Sequence, residues 1–196
     1  LRALIARGQL FLEKCELTHA RATFLEVIER AREVGDREAL TEAIAVMLRL
    51  AAEGQDQDQI KVWDAELEAV LPGASGRALA LAWHNRAVVA THLEQYRLAQ
   101  TYCYRALKAF SNGRDLAVLP TEFDELKLFA RIWTSITGGL MDRGLYRRAG
   151  ATADILIRLF KNQGLASVET QLYIVKGFLA ERSGDFAEAR KWYQEA

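Results

Sequence analysis

Among the residues of this chain that could bind a metal ion, one pair of histidines and one pair of aspartates have a spacing worth testing. His84 and His92 share one face of a predicted helix, but the helical rise separates them by about 12 Å, too far to bind one ion together. Asp56 and Asp58 resemble the start of a calcium loop, yet the glycine and the closing acid of an EF-hand are missing. We therefore interpret the histidines as polar lining and the aspartates as a solvated turn. We predict neither a metal nor another cofactor.

Catalytic patterns are missing as well. The sequence contains no glycine-rich phosphate loop, no H-E-x-x-H pair and no G-x-S-x-G elbow. No nucleophile can be matched with a general base, so we predict that the chain is not an enzyme. A local group of arginines is either helix-end charge on a solvated edge or a contact for an acidic partner segment. These arginines are Arg143, Arg147, Arg148 and Arg158.

The composition favours a helical protein that works in water. Of 196 residues, 51% are hydrophobic and only two are proline, and the strong helix formers Ala, Leu, Glu and Arg are frequent. The formal net charge of zero, without a long Lys/Arg run, argues against direct binding to nucleic acid. Cys15 and Cys103 indicate buried or half-buried thiols in a reducing compartment rather than a disulfide framework. No apolar run reaches the length of about 18 residues that spans a membrane, so we predict a cytoplasmic location.

Hydrophobic periodicity predicts an all-α chain of ten helices in five antiparallel pairs, with no strand. The five pairs span residues 1–35, 36–73, 75–112, 121–164 and 167–196. The segment Ser111–Pro120 adds about ten residues between the third and fourth pairs, and it either faces a partner or is a plain connector. Because the chain starts without methionine and stops within a helical pattern, we expect a fragment of a longer protein.

A repeat is visible when the pairs are aligned on one position of their second helices. This position holds Phe24, Trp63, Cys103, Ala153 and Tyr193, which are 39, 40, 50 and 40 residues apart. The residue four places before it is alanine in four of the five pairs, and Gln59 is the exception. In three of the five first helices a bulky residue is followed four places later by a small one, at Leu4/Gly8, Trp83/Ala87 and Tyr173/Gly177, whereas Trp133/Thr137 is a weaker match and Ala43/Met47 does not fit. Small residues at these positions would let the two helices of a pair approach closely.

This arrangement resembles the tetratricopeptide repeat family, whose pattern is W-x2-L-G-x2-Y followed by A-x3-F. The resemblance covers essentially the whole chain, and the segment Tyr173–Tyr193 carries the best match. It implies a single domain over residues 1–196, a right-handed α-solenoid in which neighbouring pairs bury each other's apolar faces. The period of about 40 residues instead of about 34 is similar to the sensor domains of large bacterial regulators of the MalT or LuxR-like type and to Rap-like peptide sensors.

The resemblance also implies a binding surface, because the first helices of such a solenoid line its concave face. By register, the predicted partner-binding residues are His84, Asn85, Val88, His92, Arg131, Thr134, Ser135, Gly138, Asp142, Phe178 and Arg182. The apolar flanks of the same face are Ile44, Leu48, Ala52 and Ile174. A polar centre between apolar flanks suits a peptide segment or a small polar ligand. We therefore expect Asn85→Ala or Arg131→Ala to abolish binding without changing the melting temperature.

The function expected from this resemblance is ligand or partner sensing in a bacterial transcriptional or signalling regulator. The alternative is a passive scaffold that assembles a multiprotein complex, in secretion or elsewhere. The partner would be a protein or peptide segment, with no membrane, and the repeat ends leave oligomerisation open. Gly138 and Gly139 lie inside a predicted helix and cost about 1 kcal/mol each relative to alanine. They indicate either close helix packing or a kink, or the approach of a ligand to the backbone.

Overall fold

The computed structural model describes residues 1–111 and 119–196, and these residues form α-helices and no strand. The predicted all-α fold is therefore confirmed for the described part of the chain. Most of the predicted insertion Ser111–Pro120 lies outside the described residues. The helices are α1 (Arg2–Glu13), α2 (Leu17–Val34), α3 (Arg37–Glu53), α4 (Gln57–Val70), α5 (Gly76–His92), α6 (Tyr96–Ser111), α7 (Phe123–Asp142), α8 (Tyr146–Phe160), α9 (Ala166–Arg182) and α10 (Phe186–Glu195), with a 3₁₀ turn at Leu71–Gly73.

The chain divides into two compact units, Leu1–Leu116 and Ala117–Ala196. Within each unit, helices that follow one another in the sequence pack together, and α3 also packs on α5 and α7 on α9. This packing is consistent with an α-solenoid, in which each helix pair buries its apolar surface against the next. The right-handed superhelix, the antiparallel course of the pairs and the single domain stay predictions.

Helix α3 forms the centre of the first unit. Every residue from Thr41 to Leu48 is buried, because α3 packs against α2, α4 and α5. A helix that is covered on all sides needs apolar residues all round, and Ala, Ile, Val, Met and Leu supply them here. The buried Thr41 hydroxyl donates to the Arg37 carbonyl at 2.8 Å, and the buried Glu42 carboxylate accepts from Arg77 of α5 at 2.7 Å. Thr41 and Glu42 are therefore each paired through one oxygen, while Oε1 of Glu42 has no partner among the described residues.

Aspartates cap the N-termini of three of the helices. One carboxylate oxygen of Asp36, Asp56 and Asp185 accepts the backbone N–H of the residue three places later, at 3.0 Å in each case. Such an N-cap satisfies a backbone donor that the first helical turn leaves without a partner. Asp56 thus caps α4, which agrees with its interpretation as a turn residue.

The second unit has its own apolar core. Phe129 of α7 and Phe160 of α8 are buried and meet edge to face, with ring centroids 6.4 Å apart. Ile132 and Leu172 are fully buried as well, so α9 closes this core against α7 and α8.

Glycines in the first helices make room for aromatic rings of the second helices. A Cβ atom on Gly8 would lie 2.8 Å from Cε2 of Phe24, a fully buried ring. A Cβ on Gly177 would overlap the ring of Tyr193 in the same way. The two residues of each pair are 16 positions apart in the sequence. In the third helix pair the same spacing joins Ala87 to Cys103, whose side chain is smaller than Phe or Tyr. The structure therefore explains the small-to-large register at Gly8 and Gly177 by direct contact.

The two cysteines differ in exposure, which corrects the expectation that both are at least half-buried. Cys15 is exposed in the turn between α1 and α2, whereas Cys103 is buried in α6. Burial raises the pKa of the Cys103 thiol to about 12.

We expect iodoacetamide at pH 8 to alkylate one thiol of the folded chain, because the reactive species is the exposed thiolate. Mass spectrometry of the digested protein should find the label on Cys15, and denaturant should be needed to label Cys103. Rapid labelling of Cys103 in the folded protein would contradict its burial, and a Cys15→Ser variant that takes up no label until unfolded supplies the control.

Candidate functional site

One aromatic stack recurs at equivalent positions in the two units. In the first unit, Trp83 of α5 stacks on Tyr102 of α6 with ring centroids 5.5 Å apart and an interplanar angle of 26°. In the second unit, Tyr173 of α9 stacks on Trp192 of α10 at 5.7 Å and 28°. Each residue of the second stack lies 90 positions after its counterpart. The third and fifth predicted pairs therefore share a side-chain arrangement as well as a sequence register.

A cation bound to an aspartate accompanies each stack. Arg86 of α5 donates from Nε to Oδ1 of Asp64 in α4 at 2.8 Å, and the guanidinium lies 5.3 Å from the Trp83 ring centroid. Nζ of Lys176 in α9 lies 2.8 Å from Oδ1 of Asp154 in α8 and 5.6 Å from the Trp192 ring centroid. The spacing between the units is again 90 residues. We call this aspartate–cation contact beside a stack the cation clasp, and in each unit it joins one helix pair to the next.

The two units differ in how they fill the space beside the cation clasp. In the first unit, Ile60 and Val89 belong to the buried core and Leu93 packs against it. The residues 90 positions later are Gly150, Leu179 and Ser183, in the same order. Gly150 lacks the whole side chain of Ile60, and Ser183 is shorter than Leu93. Leu179 regains only one methylene relative to Val89. The second unit therefore lacks the apolar volume that fills this position in the first.

A groove of about 570 Å³ occupies this position in the second unit. Its volume lies within the range of about 300–1,000 Å³ that is typical of ligand sites. The lining combines small residues with aromatic, apolar and charged side chains. The lining residues are Tyr146, Arg147, Gly150, Ala151 and Asp154 of α8, Lys176, Leu179, Ala180 and Ser183 of α9 with its C-cap, and Glu188 and Trp192 of α10.

One cation that lines the groove has no neutralising partner in the part of the chain that the structure describes. Lys176 is paired with Asp154, and Glu188 lies 3.4 Å from Lys191. Arg147 has no ion pair or hydrogen bond to a side chain within residues 1–111 and 119–196. An exposed guanidinium at the rim of a groove is suited to bind a carboxylate through two parallel hydrogen bonds.

The second carboxylate of the first unit's clasp is also replaced in the second unit. Glu68 of α4 pairs with Arg86 beside Asp64. The residue 90 positions after Glu68 is Arg158, whose Nε donates to the backbone carbonyl of Asp154 at 3.1 Å. The wall that α8 contributes to the second unit is therefore more positive than the equivalent wall of α4.

Burial corrects the assignment of two predicted binding residues in the first unit. His84 is 5% exposed and Asn85 is 1% exposed, so neither lies on an open surface. The Asn85 amide donates to the Ala45 carbonyl of α3 at 2.9 Å, and its Oδ1 atom has no partner among the described residues. Val88 is partly exposed and His92 is exposed, in agreement with a surface position.

The apolar flank predicted in the second helix pair is likewise part of the core. Ile44 and Leu48 are fully buried and Ala52 nearly so. They lie on α3, which is covered by α2, α4 and α5. These residues stabilise the first unit and offer no surface to a partner.

The predicted residues of α7 lie along one side of that helix and are accessible. Arg131, Thr134, Ser135 and Gly138 are partly exposed and Asp142 is exposed. The Thr134 hydroxyl donates to the Ala130 carbonyl at 2.8 Å, and desolvation by neighbouring protein atoms raises the pKa of Asp142 above its ordinary value. A groove that would join these residues to Val88 and His92 spans both units and stays a prediction.

The predicted residues of α9 lie against the first turn of α8. The ring centroids of Phe178 and Tyr146 are 6.4 Å apart, and the Arg182 guanidinium lies 4.6 Å from the Tyr146 ring centroid. Tyr146 also lines the groove, so Phe178 and Arg182 border it without forming its wall. The Arg182 guanidinium also lies 5.7 Å from the Phe178 ring centroid, so the two predicted residues contact each other and both contact Tyr146, which the sequence did not single out.

The glycine pair in α7 is not explained by packing. A Cβ atom on Gly138 or Gly139 would meet no atom of the described residues within 4 Å. Helix α7 runs without interruption from Phe123 to Asp142, so the glycines do not end it. Close helix packing as the reason for these glycines is therefore wrong for the described part of the structure.

Comparison with known proteins gives no identity to attach to the groove. No protein-family model matches this sequence, and no curated protein is significantly similar to it. Within the described residues, no group of three or more His, Cys, Asp and Glu side chains is placed to hold a metal ion. In the same part of the chain, no helix has both the length and the apolar character required to cross a membrane.

Proposed function

We propose that this chain is a polypeptide-binding helical-repeat module and that the groove formed by α8, α9 and α10 receives part of its partner. The groove itself is the observation that carries the proposal. It is lined by residues of three helices, which include small residues such as Gly150 and Ala180 as well as charged and aromatic side chains. A peptide offers both backbone hydrogen bonds and side chains to such a surface. No catalysis is assigned to the module.

The proposed architecture is a right-handed, TPR-like α-solenoid of five antiparallel helix pairs in one domain. The 90-residue recurrence of the cation clasp supports it, because stacked repeats place equivalent residues in equivalent contacts. In this proposal the module is the partner-sensing domain of a bacterial cytoplasmic regulator. The repeat spacing near 40 residues supports that assignment through the resemblance to regulator sensor domains.

Selection of peptides from a random phage-displayed library on the immobilised chain tests the proposal. Peptides should be enriched on the wild type, and Ala151→Trp should reduce their binding at least about tenfold, because an indole there fills the groove. Ala151 is exposed, so the larger side chain need not disturb the core. Binding constants from fluorescence anisotropy of the selected peptides supply the measurement.

Ala187→Trp is the matched control, since Ala187 is an exposed helical alanine outside the groove lining. It should leave the binding constants within about twofold of the wild type. Enrichment of no peptide would overturn the proposed function, and equal binding by the wild type and Ala151→Trp would show that the groove is not the site.

A further inference from the structure

We infer that the groove recognises a segment of a partner protein that carries a branched aliphatic side chain next to a carboxylate. The inference rests on the proposed function and names the partner's chemistry at the same site. It follows from two observations that are independent of each other. The first is the volume missing beside the cation clasp, and the second is the charge on the α8 wall.

The first unit shows what the missing volume accepts. There the chain fills the position beside its clasp with Ile60 and Leu93, both in contact with the hydrophobic core. In the second unit Gly150 and Ser183 leave that position open, although the clasp and the aromatic stack beside it are preserved. The clasp and the stack are thus built as in the first unit, while the aliphatic group of Ile60 is absent. A leucine or isoleucine side chain of a partner supplies a group of that size and polarity.

The remaining apolar lining is consistent with such a group. Leu179 and Ala180 of α9 and Trp192 of α10 border the groove. Leu179 already reaches towards the space above Gly150, because a Cβ atom on that glycine would lie 3.3 Å from Cδ1 of Leu179. An aliphatic side chain placed there gains contact with these side chains and removes their surface from water.

The carboxylate follows from Arg147. This residue lies three positions before Gly150 on α8, and residues three apart on a helix are neighbours at about 5–6 Å between Cβ atoms. Its guanidinium has no side-chain partner in the described residues, whereas Lys176 in the same groove is neutralised by Asp154. An acidic residue adjacent in the partner's sequence to the aliphatic one would reach Arg147 while the aliphatic group lies over Gly150. The same position in the first unit holds the uncharged Gln57.

Charge reversal at Arg147 tests the inference. Peptides enriched on the wild type should carry Leu or Ile beside Asp or Glu. Arg147→Glu should weaken their binding at least about tenfold, because a charge-assisted pair is lost and a like charge replaces it. Exchanging the peptide's acid for lysine should restore most of the loss on Arg147→Glu and should weaken binding to the wild type.

Arg148→Glu is the matched control, since Arg148 is exposed on the same helix, has no side-chain partner in the described residues and does not line the groove. It should change binding less than about twofold. Ser183→Leu, which restores the first unit's residue, should weaken the binding of aliphatic peptides whatever charge stands beside the aliphatic residue. Enriched peptides without an acidic residue, or equal losses on Arg147→Glu and Arg148→Glu, would overturn the inference and leave the proposed function standing. Absence of any enriched peptide would overturn both.

Discussion

Gly8→Leu is expected to lower the free energy of unfolding of the first unit by about 2–3 kcal/mol, since overpacking a close contact costs on that order. Even a single Cβ atom on Gly8 would lie 2.8 Å from Cε2 and 2.9 Å from Cζ of Phe24. Phe24 is fully buried among its neighbours, so the ring has no free space to enter. Leucine gains up to about 1 kcal/mol over glycine in helix propensity, which offsets only part of the clash.

A double-mutant cycle measures whether the two positions compete for the same volume. Phe24→Ala alone should cost about 3–5 kcal/mol, because a large buried ring leaves a cavity. In the double variant the leucine side chain introduced in place of Gly8 enters that cavity, so the two losses should not add. Chemical denaturation of the four proteins gives the coupling energy. Additive losses would contradict the direct contact.

Gly138→Leu is the matched control for Gly8→Leu. Both glycines lie in helices, but Gly138 has open space within the described residues where a side chain would go. Leucine there should stabilise the chain by up to about 1 kcal/mol through helix propensity alone. If the free energy of unfolding falls for Gly8→Leu and rises for Gly138→Leu, the effect of packing is separated from that of helix propensity.

Helix positions could be predicted well because local chemistry marks their ends. The turns before α3, α4 and α10 each contain an aspartate that caps the following helix through its own side chain. Such a cap depends on residues within three positions of each other, so the sequence contains all the information. The spacing of apolar residues then fixes which side of each helix is buried.

Asn85 shows where that information ends. Helical periodicity placed it on the inner side of its helix, yet whether that side is open depends on which helices cover it. The neighbour is α3, whose backbone carbonyl at Ala45 accepts the Asn85 amide proton. Asn85→Ala should therefore destabilise the protein, contrary to the expectation of an unchanged melting temperature. Periodicity identifies faces, and the packing partner decides whether a face is surface or core.

The groove escaped prediction for a related reason. It results from the combined side-chain volumes of three helices, and no single helix pattern contains it. Gly150 by itself is one more small residue in a repeat that favours small residues. Its significance is visible only beside Ile60, the residue at the same position of the repeat 90 residues earlier, and only once the structure shows that Gly150 lines a groove. The sequence shows Arg147 only as part of a local group of arginines, and the structure is needed to place it in the lining of the groove.

The cation clasps of the two units should contribute unequally to stability, so removing the cation should lower the free energy of unfolding more in the first unit than in the second. Arg86→Met should lower the free energy of unfolding of the first unit by about 1.5–2 kcal/mol, the lower part of the range for hydrogen bonds to charged groups, because Asp64 and Glu68 are more than half exposed. The Arg86 side chain is 7% exposed and binds both Asp64 and Glu68. Lys176→Met should cost the second unit only about 0.2–1 kcal/mol, since Lys176 is 21% exposed and forms an ion pair only with Asp154 among the described residues.

Urea denaturation at low and high salt separates the two contributions. Added salt should reduce the effect of Lys176→Met more than that of Arg86→Met, because mobile ions screen the more exposed pair. Equal losses in the two variants would contradict the difference in burial. The comparison also bears on the proposed binding groove, because the single ion pair of Lys176 constrains that wall less than the two ion pairs of the buried Arg86 constrain the equivalent wall of the first unit. The contact itself is present in both units, and the residues beside it decide whether the site is filled: Ile60 and Leu93 fill it in the first unit, whereas Gly150 and Ser183 leave it accessible in the second.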